Sequence, residues 1–359
     1  MRSRVVAQAR AAAVLATALD APVAARCARA LTATPRLDEV SAAGVPATLA
    51  RPGGRGPYPA ALVVNGVTAR GRAHPLVRAL AAGLARAGVL ALVPDPAGLA
   101  RGELTPPTLA DACAAAEWLA ARADARDGRV ALLGISAGAS LALLAAQSDE
   151  LSGRVSVVAG TAPFARVREV ARIATTGTYR AEGGLVRWRA GAFLGLVIAR
   201  SLAGGLEPSP SRERLRAALL ALPGGTTDPF APVRAETGVL PGDAEAVRAL
   251  LLNRDPERFD ALYDALPTHL LTGLEALSPL PGAGRVRAPV ELASAPRDAY
   301  FPLSESRALA AATGGRLTVT AALDHAVPRP LLRQARDLAR FDAWLVRCLA
   351  AAAAAIMAP

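Results

Sequence analysis

The chain has 359 residues, of which 52% are hydrophobic and 20% charged. That is enough apolar material for a large buried core and too little charge for a disordered chain. The formal charge is +11, yet there is no Lys at all, so every one of the 41 basic residues is Arg. The Arg residues are scattered, with no basic stripe interleaved with aromatics, which excludes nucleic acid as a partner. Cys27, Cys113 and Cys348 lie far apart and form no CxxC pair. This argues against a disulfide framework and a zinc site, and favours a reducing, cytoplasmic location.

Residues 1–35 read as an N-terminal helical segment. Arg2, Arg4 and Arg10 precede the apolar run Ala11 to Leu19, and Val23-Ala24-Ala25 resembles a small-residue cleavage site. Export is therefore the alternative to a cytoplasmic location, with residues 1–25 removed. The run is short and Ala-rich, and a helix packed on the domain is the simpler expectation. The longest apolar candidate elsewhere, Ala190 to Leu206, contains Arg200 and falls short of the ~20 uncharged residues a membrane span needs. No integral membrane association is expected.

Leu37 to Ala42 and Val45 to Ala50 read as short strands around Gly44, and Ala60 to Val64 as an apolar strand ending in Asn65-Gly66. Pro75 opens a helical pattern closed by Gly88, and Val89 to Val93 is the next buried strand. A helix from about Leu109 to Arg122 leads to the strand Val130 to Gly134, the helix Ala137 to Gln147 and the strand Val155 to Ala159. Short apolar runs alternating with helices predict a mostly parallel sheet with helices on both faces. The rhythm breaks across residues 166–285, which read as an inserted helical cap. It resumes with the strand Val290 to Ala293, the helix from Ser304, the strand Leu317 to Ala321 and the helix Leu331 to Leu349. The core is thus expected over 36–165 and 286–349, with 350–359 a frayed tail.

Gly134-Ile135-Ser136-Ala137-Gly138 fits G-x-S-x-G at a strand-turn-helix junction. There a sharp turn lifts a serine hydroxyl clear of the sheet edge, and small neighbours let strand and helix approach. The alternative is an ordinary βα turn whose serine caps the helix. A serine needs a base. Of three histidines, His74 stands at a helix start, where capping suffices, and His269 lies in the inserted region. His325 follows the last strand, on the sheet edge where parallel sheets collect active-site groups. Asp298, on the exit loop of the preceding strand, is the candidate to orient the imidazole. Glu291 lies within that strand and Asp324 adjoins His325 too closely, so both are read as structural. The order Ser136, Asp298, His325 is characteristic of α/β-hydrolases. Backbone N–H groups of Ala137 and of Val67, in the loop after the strand Ala60 to Val64, are the candidate oxyanion donors.

On these residues the chain resembles the α/β-hydrolase superfamily, in particular bacterial serine hydrolases near the dienelactone-hydrolase-like and prolyl-oligopeptidase-like esterases. Asn65-Gly66 stands where relatives often have His-Gly, and Asp298-Ala299-Tyr300-Phe301-Pro302 is similar to their Asp-x-x-Val-Pro. The resemblance implies an α/β-hydrolase fold and a serine hydrolase that cleaves a carboxylic ester or thioester through an acyl-enzyme. It implies a small ester-type substrate and neither metal nor organic cofactor. An acyltransferase with the same triad and a non-catalytic binding protein on the same fold are the alternatives. Leu185, Trp188, Phe193, Leu196 and Val197 are read either as an acyl pocket or as cap core, and Arg70 either as a ligand for an acidic substrate group or as an exposed side chain. The sequence does not specify an oligomeric state.

Overall fold

The computed structural model describes residues 2–18, 26, 30–236, 242–325, 327–328 and 335–354. The chain opens with α1 (Arg2–Ala18), then a hairpin of β1 (Arg36–Ala42) and β2 (Val45–Arg51). Ala43 and Gly44 turn it with positive φ. Next come β3 (Tyr58–Val64), α2 (Pro75–Arg86), β4 (Leu90–Pro94), α3 (Pro106–Ala120), β5 (Ala125–Ile135), α4 (Ala137–Ala145) and β6 (Val155–Thr161).

The region expected as a helical cap holds α5 (Val167–Thr176), α6 (Ala192–Gly205), α7 (Pro210–Ala221), α8 (Ala231–Ala235), α9 (Gly242–Leu252), α10 (Phe259–Asp264) and α11 (Thr268–Glu275). It also holds a hairpin that the sequence reading did not anticipate, β7 (Thr178–Ala181) with β8 (Gly184–Arg187). Each of its strands has four residues, too few for an alternating pattern to stand out. The core resumes with β9 (Val290–Ser294), α12 (Leu303–Thr313), β10 (Arg316–Val319) and α13 (Ala335–Ala353). Ala350 to Ala353 are helical rather than frayed. The small-residue stretch at 23–25, Cys27 and the expected helix start at Leu331 lie outside the described residues.

The main sheet has eight strands in the order β1-β2-β4-β3-β5-β6-β9-β10. β1/β2 and β2/β4 pair antiparallel, and the other pairs run parallel. Successive side chains of a strand face opposite sides of the sheet, and here each side is covered. Leu62, Leu132 and Val158 pack with Leu119 and Leu141 of α3 and α4. Ala61, Ala131 and Val157 face Leu84 of α2 and Trp344 of α13. Burial on both faces explains the continuous apolar runs of β3, β5 and β6. α1 joins this second layer. A Cβ at Gly83 would stand 3.1 Å from Val14 Cα, so glycine lets α1 and α2 meet closely. Gln8 Nε2 donates to Asp342 of α13 at 2.6 Å.

The inserted region is tied to the core by a buried carboxylate. Glu305 on α12 is 3% exposed, and its Oε2 accepts from the N–H groups of Ala165 and Arg166, each at 2.9 Å. Its Oε1 accepts from the Arg166 guanidinium at 2.6 Å. Removing an acceptor this buried strands two N–H donors. Glu305→Ala is expected to lower stability by about 3 kcal/mol, read by urea unfolding. Glu305→Gln keeps an amide oxygen for those donors and should lose less than half as much.

Candidate active site

β5 delivers Ser136 to the carboxyl edge of the sheet, where the chain turns directly into α4. Ser136 has φ 55° and ψ −125°, a strained combination for a residue with a Cβ. Its surroundings impose it. The Ser136 N–H donates to Thr161 O on β6 at 2.8 Å. A Cβ at Gly134 would lie 2.2 Å from Ala139 Cα, and one at Gly138 2.1 Å from Val64 O. Two glycines therefore let α4 lie against its own strand and against the end of β3, as the pentapeptide suggested. Ser136 does not cap α4 through its side chain.

The loop after β9 supplies Asp298, whose side chain is 3% exposed. Asp298 Oδ1 accepts from the N–H groups of Tyr300 and Phe301 at 2.8 and 2.9 Å. Asp298 thus folds its own loop and does not cap α12, which begins at Leu303 with Pro302 before it. Ser304 lies inside the helix and its buried hydroxyl has no partner among the described residues.

His325 follows β10 and a short turn, with φ 53°. Its Nδ1 lies 2.8 Å from both oxygens of Asp298, and its Nε2 lies 2.7 Å from Ser136 Oγ. Three side chains from three loops form one hydrogen-bonded line. With Nδ1–H donated to the carboxylate, Nε2 is left as the acceptor facing the hydroxyl. The rings of Tyr300 and Phe301 meet the imidazole edge-on, with centroids at 4.7 and 5.6 Å. Burial first, then the charges of Asp298 and Asp324, push the Tyr300 phenol above its ordinary pKa, so it stays neutral at physiological pH.

Val67 and Ala137 both border a cavity of about 580 Å³ whose wall also contains Ser136 and His325. A Cβ on Gly66 would stand 3.1 Å from both Ile135 O and Ser136 Cβ, so the loop after β3 closes directly onto the serine. Of the expected acyl-pocket residues, Phe193 and Val197 line the cavity. Leu196 is buried in the core. Trp188 instead donates its indole N–H to Tyr300 O at 3.0 Å and so braces the acid loop. Leu185 belongs to β8 and Arg70 is exposed; neither lines the cavity. His74 caps α2, its Nδ1 accepting from the Leu76 N–H, and His269 borders a second, smaller cavity. Glu291 pairs with Arg347 at 2.9 Å. Among the described residues no cluster of His, Cys, Asp and Glu is suited to a metal, and Cys113 and Cys348 are free thiols. The sequence reading gave no role to Tyr300 or Phe301, and placed Trp188 in an acyl pocket or the cap core rather than against the acid loop. The first two were visible as neighbours of Asp298, whereas nothing in the sequence links Trp188 to that loop.

The strand order, with a serine on a strained strand-to-helix turn and with Asp and His on loops after later strands, is the arrangement of the α/β-hydrolase fold. Residues 43–209 match the family model of X-Pro dipeptidyl-peptidase (S15 family). Among solved structures, the chain is similar to DphMB1 (20% identity, 92% of this chain and 91% of that one, TM-score 0.46). It is similar to EstE1, a thermophilic carboxylesterase cloned from a metagenomic library (18%, 90% and 90%, TM-score 0.48). It also resembles the Pyrococcus horikoshii acylaminoacyl peptidase (13%, 82% and 38%, TM-score 0.46). No curated protein matches the chain.

Because the elbow glycines abut backbone rather than flexible side chains, a methyl group there has no cheap escape. Gly138→Ala is expected to cost about 3 kcal/mol, seen as a lowered midpoint in urea unfolding. An unchanged midpoint would mean that α4 and β3 are less tightly opposed than described.

Proposed function

We propose that the chain is a serine hydrolase that cleaves a carboxylic ester or thioester through an acyl-enzyme. The observation that carries this reading is the unbroken path from Asp298 through the His325 imidazole to Ser136 Oγ. Ser136 Oγ attacks the substrate carbonyl as His325 Nε2 takes its proton, and Asp298 holds the tautomer and stabilises the imidazolium. The same imidazole then protonates the departing alcohol or thiol. Water, activated by His325 in turn, attacks the acyl-enzyme and releases the acid and the free serine. Negative charge on the carbonyl oxygen is received by the N–H groups of Ala137 and Val67; one such donor is worth about 2.7–4 kcal/mol. The same acyl-enzyme can pass its acyl group to another acceptor, so added alcohols or thiols belong in the product analysis.

A second reading, amide cleavage at the end of a peptide, is favoured by the S15 family match over residues 43–209. An enzyme that counts from a peptide's amino terminus must hold a cationic amine. Among the described residues lining the main cavity Asp324 is the one carboxylate, at a wall otherwise mostly of apolar side chains, and that apolar wall favours the ester reading. Comparing a p-nitrophenyl ester with an X-Pro anilide separates the two.

Wild type is expected to react with a fluorophosphonate probe and to hydrolyse p-nitrophenyl acetate, and Ser136→Ala to do neither. Asp298→Asn keeps an oxygen for the Tyr300 and Phe301 N–H groups but turns an NH₂ towards Nδ1. It should lower kcat by about 10⁴ with the fold retained. Equal turnover by wild type and Ser136→Ala would overturn the reading.

A further inference from the structure

The residues that line the cavity beside Ser136 fall into two groups. One, with Leu194, Val197 and Leu277, belongs to the inserted region. The other, an inner arm on the sheet face towards α2 and α13, includes Leu133 of β5, Leu80 of α2, Trp344 of α13 and Leu15 of α1. The sheet face towards this arm carries small residues where large ones are usual. Ala61 and Ala131 stand directly opposite each other on β3 and β5, at a layer where buried parallel strands normally carry Val, Ile or Leu. Leu133 on β5, flanked by β3 and β6, is incompletely buried, whereas Ala61 and Ala131 are 1% and 0% exposed. The lining residues contributed by α1, α2 and α13 are apolar apart from Trp344 and Cys348. Burial pushes the Cys348 thiol well above its ordinary pKa, so it stays neutral.

We propose that this inner arm holds the acyl chain of the substrate, making the enzyme selective for medium- to long-chain fatty acyl esters or thioesters, with α1 as part of the chain-binding wall. The inference rests on the acyl-enzyme reading above. An acyl group stays attached to Ser136 through both half-reactions while the alcohol departs. The retained part suits an arm whose lining residues Val14, Leu84 and Cys348 are buried, and the leaving group suits the side lined by the inserted region. Each methylene moved from water into the arm contributes about a fourfold gain in binding, equivalent to ~0.8 kcal/mol.

The test is a series of p-nitrophenyl esters from acetate to dodecanoate, run on wild type, Leu80→Trp, Leu15→Trp and Val197→Trp. Wild-type kcat/KM should rise at least tenfold between acetate and decanoate. Leu80→Trp should lower the ratio of decanoate to acetate kcat/KM at least tenfold, through a raised KM for decanoate. Leu15→Trp, on a different helix, should behave alike and serves if Leu80→Trp does not fold. In Ser136→Ala, decanoate should perturb the intrinsic fluorescence, and Trp344→Phe should abolish most of that change. Normal acetate turnover with a flat chain-length profile, or a long-chain loss confined to Val197→Trp, overturns the inner-arm assignment and leaves the serine hydrolase reading intact. Failure of every ester together with no fluorophosphonate labelling overturns both.

Discussion

The whole site depends on one backbone conformation that Ser136 would not adopt alone. A residue with a Cβ at φ 55° and ψ −125° is held there because β5 ends against β6 through the bond to Thr161 O and α4 begins at once. The absence of side chains at Gly134 and Gly138 makes that junction possible. The cost of this turn, of order 1–3 kcal/mol, falls on a core whose central strands are buried on both faces. In return the hydroxyl stands at the rim of the sheet, within 2.7 Å of a ring nitrogen.

The imidazole is positioned with equal care. One edge faces a carboxylate that is itself fixed by two backbone N–H groups, and two aromatic rings meet the imidazole edge-on. The loop bearing those rings is braced from outside the core, since Trp188, just after β8, donates to Tyr300 O. Glu305 makes the reciprocal tie, gripping the chain where it leaves the sheet for the inserted helices. The inserted region is therefore bonded both to the loop that bears Asp298 and to α12.

The two faces of the sheet are packed unequally. Beneath the inserted region the strands present Leu62, Leu132 and Val158 to well-filled helices, whereas the face towards α2 and α13 presents Ala61 and Ala131. A sheet layer of alanines draws helices closer or leaves space, and on this face Leu133 is incompletely covered.

Much of this was legible in the residues themselves. Apolar runs alternating with helical periods specified the parallel sheet, because strands buried on both faces leave no room for polar positions. The pentapeptide around Ser136 specified the elbow, because only small residues permit so close a turn. Asp298 and His325 could be nominated because parallel sheets gather such groups at one edge. The four-residue hairpin, the bracing bond from Trp188, the ring contacts on His325 and the inner arm were decided only by tertiary structure. Each depends on which residues distant in sequence meet, and hydrogen-bond geometry and unfilled volume are properties of packed pairs of elements rather than of any one segment's periodicity.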